Sequence, residues 1–317
     1  MGDTLFHAYT PLILWTGLGL IIFRFLPKWF PKSLGRCLYW IGIPLELIAL
    51  ARQGESSEYP QVIGTSFLAP TITVVALTIG LLVSLLVLWL WKNSTSLLAL
   101  NRTTEGSFLL AAVLGNTGFV GLAIAPSLVD TNALHLAVLF SVIHNIIGPF
   151  GVGVAIASYF SHSREQNKWW KILLNILTVP ALWAFVIGNF TRQIQLPEAI
   201  ESGLQQSIGF VIACAFLLTG IRLSQLQGWK SLKLAFFPAV LRVVIIPLLV
   251  GITTTYFFHL PSSSRLAMVL MSGMPSAFVG LILAEEYNLD RDLIASSILV
   301  STILLLFVLP VWILLFG

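Results

Sequence analysis

Long apolar runs separated by short polar or Gly/Pro-rich breaks make up most of this chain. They fall near residues 7–26, 34–51, 67–91, 106–128, 133–160, 171–190, 197–221, 232–258, 265–285 and 292–316. Each is close to the roughly 20 residues an α-helix needs to cross the hydrocarbon core of a bilayer. A strand of a membrane β-barrel would instead alternate in polarity over about ten residues, and no stretch does so. The pattern predicts ten membrane-spanning helices. The runs 67–91 and 292–316 are the most regular. The runs 106–128 and 265–285 are the least, because Gly, Asn, Pro and Ser interrupt them.

Composition supports the bilayer as the main solvent. Of the 317 residues, 57% are hydrophobic and 9% charged, whereas soluble domains carry about 25% charged residues. The expected class is an all-α integral membrane protein with no separate soluble domain. The first run lacks a basic flank and a small-residue cleavage site, so it is expected to remain as a span. Lys and Arg then set the orientation. The odd-numbered loops hold Arg24, Lys28, Lys32, Arg36, Lys92, Arg102, Arg164, Lys168, Lys171, Arg222, Lys230, Lys233 and Arg291. The even-numbered loops hold only Arg52, Arg192 and Arg265, and Arg242 lies inside a span. By the positive-inside rule the odd loops face the cytoplasm and both termini face outward. The net charge of +4 is thus a topology signal, and no nucleic-acid partner is expected. Cys37 and Cys214 lack the neighbours of a zinc site or disulfide framework, and no metal or cofactor is expected. The chain has no GxxxxGK[ST] loop, so ATP cannot drive it directly, and no HExxH or Asp-rich motif favours an enzyme.

An internal repeat is visible. The tetrapeptide Phe-Val-Gly-Leu occurs at 119–122 and again at 278–281, half a chain length apart. Weaker echoes pair Pro11 and Gly19 with Pro180 and Gly188, Ile41-Gly42 with Ile208-Gly209, and Pro70 with Pro238. Five helices per copy is an odd number, so the second copy enters the membrane inverted. This predicts two repeats, 1–160 and 161–317, the architecture of secondary carriers with sites on interrupted helices near the midplane. Gly115-Asn116-Thr117-Gly118 and Gly273-Met274-Pro275-Ser276 are the predicted breaks in helices four and nine. The glycines at 115, 118 and 121 also fit close helix packing.

At these residues the chain resembles the auxin efflux carrier family, within a superfamily that includes bile-acid:sodium symporters. The resemblance rests on Gly115-Asn-Thr-Gly-Phe-Val-Gly-Leu122 and Met274-Pro-Ser-Ala277. It extends through Ala284-Glu-Glu-Tyr-Asn-Leu-Asp290, Ala295-Ser-Ser and Ser301-Thr-Ile. It implies ten helices with four and nine broken and crossing, a scaffold of helices 1, 2, 6 and 7, and a transport unit of helices 3–5 and 8–10. It implies a secondary transporter of a small organic anion such as a carboxylate, working by alternating access in the cell inner (plasma) membrane. A coupling proton or sodium ion, and a second copy of the chain through the scaffold helices, are the further partners, beside membrane lipids. Many members have a proline shortly after Asn-Thr-Gly-Phe, where this chain has Ala123, so the first break would be less rigid or use Pro126. The segment 160–170 is short, as in compact bacterial members. A membrane sensor that binds an anion without moving it has the same sequence features and stays open.

The expected binding residues are Asn116, Thr117, Gly118, Met274, Pro275 and Ser276. Helix N-termini near Thr117 and Ser276 would aim partial positive charge at a carboxylate without a buried Arg or Lys. His144 and Asn145 are expected as a pocket wall or as packing against helix four. Glu46, after Pro44, is read either as a coupling group or as a structural carboxylate. Arg242 is read as a partner of Glu46, of a helix carboxyl end or of the substrate. Intramembrane ionisable residues generally have such partners.

Overall fold

The computed structural model describes residues 2–27, 29–52, 62–93, 100–161, 177, 179–225 and 231–317. Helix α1 runs Gly2–Ile22 and tightens into a 3-10 turn at Phe23–Phe25. It is followed by α2 (Phe30–Arg52), α3 (Val62–Asn93) and α4, which comes in two halves, Arg102–Val113 and Thr117–Leu128. Next are α5 (Thr131–Phe160), α6 (Pro180–Thr191), α7 (Glu198–Gln225) and α8 (Leu232–Tyr256). Helix α9 is also split, into Ser262–Ser272 and Phe278–Glu286, and α10 spans Arg291–Phe316. Helices α2, α5, α7, α8, α10 and the Phe67–Asn93 part of α3 are long and apolar enough to cross a membrane; α1, α6 and the second half of α4 are shorter apolar helices. Among the described residues there is no strand, only one isolated bridge.

Local chemistry explains the helix ends. Asn101, Asp130 and Asp290 accept from the backbone N–H of Thr104, Ala133 and Leu293 at 2.8, 2.8 and 3.0 Å, capping α4, α5 and α10. Pro180 opens α6 at the first helical position, where its missing N–H costs nothing. Widened π turns occur at Leu38–Gly42, Thr117–Gly121, Gly148–Gly153 and Leu241–Ile245. Pro44, Pro149 and Pro247 lie within or just beyond three of them. A proline ring clashes with the carbonyl one turn back, and the extra residue of a π turn relieves that clash. Large apolar side chains such as Phe25, Phe190, Phe210, Phe257 and Phe307 point outward, as helices solvated by lipid require.

Helix α1 packs along α7, and α6 along α2. Both pairs approach closely at small residues. A Cβ on Gly220 would overlap the Thr16 carbonyl of α1, and one on Gly188 would lie 2.9 Å from the Ala51 Cβ and 3.0 Å from the Ile48 Cα of α2. Arg52 ties three of these helices at one end. Its guanidinium meets Glu201 of α7 at 2.8 Å and donates to the Thr191 and Ile194 carbonyls at the end of α6. In the rest of the molecule α3 packs on α5, α8 on α10, and the first half of α9 on α5 and α8. Gly220→Ala is expected to destabilise the protein by about 1–3 kcal/mol through overpacking, measured as thermal unfolding in detergent. An unchanged midpoint would mean that α1 and α7 can separate freely.

The α9 break covers the expected Gly273–Ser276, whereas the α4 break begins one residue before the expected Gly115. Helix α4 stops at Val113 and restarts at Thr117, while Pro126 sits inside the intact Leu122–Leu128 segment and makes no break. The expected sixth span begins at 171, and its start lies outside the described residues. So do Lys28, Arg164, Lys168, Lys171, Lys230 and residues 53–61 of the expected loop 52–66, whose last residues belong to α3.

Candidate functional site

The two breaks face each other. Gly115 and Ser276 form an antiparallel bridge. The Asn116 N–H donates to the Pro275 carbonyl at 2.7 Å, and the Ala277 N–H donates to the Leu114 carbonyl at 2.9 Å. Each interrupted helix thus satisfies backbone groups that the other leaves open. Unsatisfied groups of this kind cost several kcal/mol in a bilayer, so two mutually paired breaks are stable where one alone would not be.

Side chains complete the junction. The Asn116 oxygen accepts from the Phe119 N–H at 3.3 Å and caps the second half of α4. That leaves the Nδ2 donor of Asn116 outside any hydrogen bond found among the described residues. The buried Thr117 hydroxyl accepts from Asn145 Nδ2 at 3.1 Å, and the same amide donates to the Ser141 carbonyl at 2.8 Å and lies 3.2 Å from the Ser141 hydroxyl. Asn145 is half-buried, and Gly118 beside it has room, since a Cβ there would lie 3.4 Å from Asn145 Nδ2 and 3.8 Å from Ile43 Cδ1. His144 is buried, with its ring stacked on Phe140 at 6.0 Å between centroids. It sits on the Leu114 side, where both His144 and Leu114 flank Gly148.

Helix nine contributes mostly backbone. Its Met274 and Pro275 carbonyls are both acceptors. Both polar groups of Ser276 are used inside the protein: its N–H donates to the Ser301 hydroxyl at 3.0 Å and its hydroxyl to the Ala111 carbonyl at 2.7 Å. In this conformation Ser276 therefore locks α9 to α10 and α4, and its amide does not face an open site.

Of the partners expected for Arg242 the helix carboxyl end is the one found, and two other expectations are corrected. First, Arg242 makes no ion pair with Glu46; the ion pairs among the described residues are Arg52–Glu201, Lys92–Glu105 and Arg291–Glu285. Instead its Nε donates to the Met274 carbonyl and its Nη1 to the Val113 carbonyl, each at 2.9 Å. Second, the crossing is not free of buried cations, because this guanidinium lies directly on Gly115, in the volume a Cβ would need. The π turn Leu241–Ile245 carries it there. Glu46 is 2% exposed and its Oε1 has no hydrogen-bond partner. It shares a face of α2 with Ile43, one turn back, which approaches Gly118.

The sequence does not reveal what Ser141, Ser301 and Gly115 do in this junction, although Gly115 belongs to the predicted break and Ser301 to the family resemblance. The first two carry a faint signal: Ser141 lies one helical turn before Asn145, and Ser301 is a hydroxyl inside a strongly apolar span. The role of Gly115 depends on a residue 127 positions away, so no local pattern reveals it.

With this geometry in view, similarity to known proteins becomes specific. A family model described as Membrane transport protein matches residues 63–313, which include both breaks, Arg242 and Ser301. The chain belongs to this family, the one that contains the auxin efflux carriers. An uncharacterized transporter of Methanocaldococcus jannaschii is 24% identical over 301 residues, covering 92% of this chain and 91% of its own. One of Methanothermobacter thermautotrophicus is 29% identical over 208 residues, or 64% of this chain. That match spans 65% of the relative's own length, just under two thirds. The uncharacterized transporter YfdV of Escherichia coli is 23% identical over 222 residues, covering 67% and 69% of the two chains. Family membership together with the apolar helices makes this a multi-pass membrane protein of the transporter class.

Proposed function

We propose that this chain is a secondary carrier of a small organic anion, with its site at the crossing of α4 and α9. The observation that carries the reading is the paired break itself. It leaves the Asn116 amide donor unengaged at the N-terminus of a half-helix whose next residue, Thr117, is held by the half-buried Asn145. A helix N-terminus favours a carboxylate through its partial positive charge. Such a contact is strong enough for recognition and weak enough for release.

Helix packing supports an inverted repeat of two five-helix units, 1–160 and 161–317. Gly188 follows Gly19 by 169 residues, and Gly220 follows Ala51 by the same interval. The close approach of Gly19 to Gly220 and that of Gly188 to Ala51 are therefore counterparts. The pairs α3 with α5 and α8 with α10 correspond in the same way. In this reading α1, α2, α6 and α7 form the scaffold, and α3–α5 with α8–α10 move against it. The protein resides in the plasma membrane with both termini outside.

Two measurements test this. In a cysteine-free background, cysteine at Ser57 is expected to label from outside and cysteine at Ser163 only after permeabilisation; outside labelling at Ser163 overturns the orientation. In proteoliposomes, saturable uptake of a radiolabelled dicarboxylate such as malonate is expected, with competition among small carboxylates. Tight binding without flux would instead make the protein a sensor on a carrier fold.

A further inference from the structure

Arg242 is a buried cation with no carboxylate partner among the described residues. It is 3% exposed, its Nε and Nη1 hold the Met274 and Val113 carbonyls at 2.9 Å, and its Nη2 is buried without a partner. An isolated charge inside a membrane protein is expensive, so something on the protein must balance it. The acceptors identify what does. Val113 is the last residue of the first half of α4, and Met274 lies two residues beyond the first half of α9. The C-terminal end of a helix carries about half an elementary negative charge. Two such ends converging on one guanidinium supply about one unit of negative charge. Gly115 provides the seat, since any Cβ there would occupy the guanidinium's place.

In carriers with broken helices, half-helix C-terminal ends and unwound carbonyls are the groups that coordinate a coupling sodium ion. Here the corresponding carbonyls already hold a covalently attached cation. We propose that Arg242 is the built-in cation of the crossing: it occupies the position of a coupling metal ion, and the site between Val113 and Met274 binds no sodium. Arg242 is a positioning residue in this scheme. It joins the two C-terminal ends, and thereby fixes the second halves of α4 and α9, the first of which carries the N-terminus beside Asn116. For its consequence, transport without sodium at this position, the inference rests on the carrier reading. Its test reads cation occupancy and needs neither substrate nor flux, so the two can fail separately.

The experiment is thermal unfolding of the full chain in detergent, with sodium, guanidinium, urea or choline added at about 20 mM, far below denaturing concentrations. The wild type is expected to be indifferent to the choice. Arg242→Ala is expected to melt about 5 °C or more lower. Guanidinium should restore at least half of that loss, sodium should restore part of it, and urea or choline should restore none. A purely structural loss would not respond to a small cation. Rescue by urea as much as by guanidinium, or no rescue at all, overturns the proposal, as does saturable stabilisation of the wild type by sodium alone. Should Arg242→Ala not purify, Arg242→Lys and Arg242→Gln decide the matter. Lysine keeps the charge and is expected to retain most of the stability, whereas equal loss in the two variants overturns the role of charge.

Discussion

Gly115→Ala is expected to lower the unfolding free energy by about 3 kcal/mol or more, the largest stability effect of any single methyl at the crossing. The added Cβ falls inside the guanidinium of Arg242, overlapping its terminal atoms. The arginine must then leave the Val113 and Met274 carbonyls, which it holds at 2.9 Å. Hydrogen bonds to a charged group contribute roughly 1.5–3 kcal/mol each, and the displaced cation has no carboxylate to move to among the described residues. Gly118→Ala is the matched control. Its Cβ would meet Asn145 and Ile43 at 3.4 and 3.8 Å, ordinary contact distances, and its midpoint should stay within about 2 °C of wild type. Thermal unfolding of the two purified variants, side by side, checks the pair. Similar losses in both would show that the crossing is intolerant of any side chain and that Arg242 has no special seat.

The largest functional effect is expected from Asn116→Asp. The wild-type side-chain oxygen accepts from the Phe119 N–H at 3.3 Å, and aspartate keeps that cap. A carboxylate at a helix N-terminus is itself favourable, so the unliganded protein should be at least as stable as wild type. What disappears is the Nδ2 donor, and what appears is a negative charge facing a negatively charged ligand. Loss of one hydrogen bond to a charged group lowers affinity about tenfold or more, and repulsion adds to it. Calorimetric titration with malonate, alongside proteoliposome flux, reads the outcome. Asn116→Ala should behave differently, losing the cap as well and therefore both stability and affinity. If Asn116→Asp binds and transports like wild type, the anion site is not at Asn116.

Local pattern was enough for the helices, because a bilayer demands long apolar runs and closed backbone hydrogen bonding whatever the neighbours do. The interruptions at Gly115–Gly118 and Gly273–Ser276 were equally legible, since glycine, asparagine and proline weaken a helix through their own backbone chemistry. Family membership followed from the same short stretches. Partner choice was not legible. Arg242 had three candidate partners in sequence, Glu46, a helix carboxyl end or the substrate, and only the packed structure selects the helix end, at Val113 and Met274. Ser276 looked like a ligand-binding amide, yet its N–H is taken by Ser301, 25 residues away in sequence. Pro126 looked like a helix breaker and sits in an intact turn. The physical reason is common to all three. Whether a polar group is free or occupied depends on atoms delivered by distant segments, and in a low-dielectric interior the winning partner is whichever unsatisfied group the packing brings nearest. Composition and local pattern set the membrane solvent, the apolar helices and the positions of the weak points. The tertiary structure decided which carbonyl, hydroxyl or cation closes each of them.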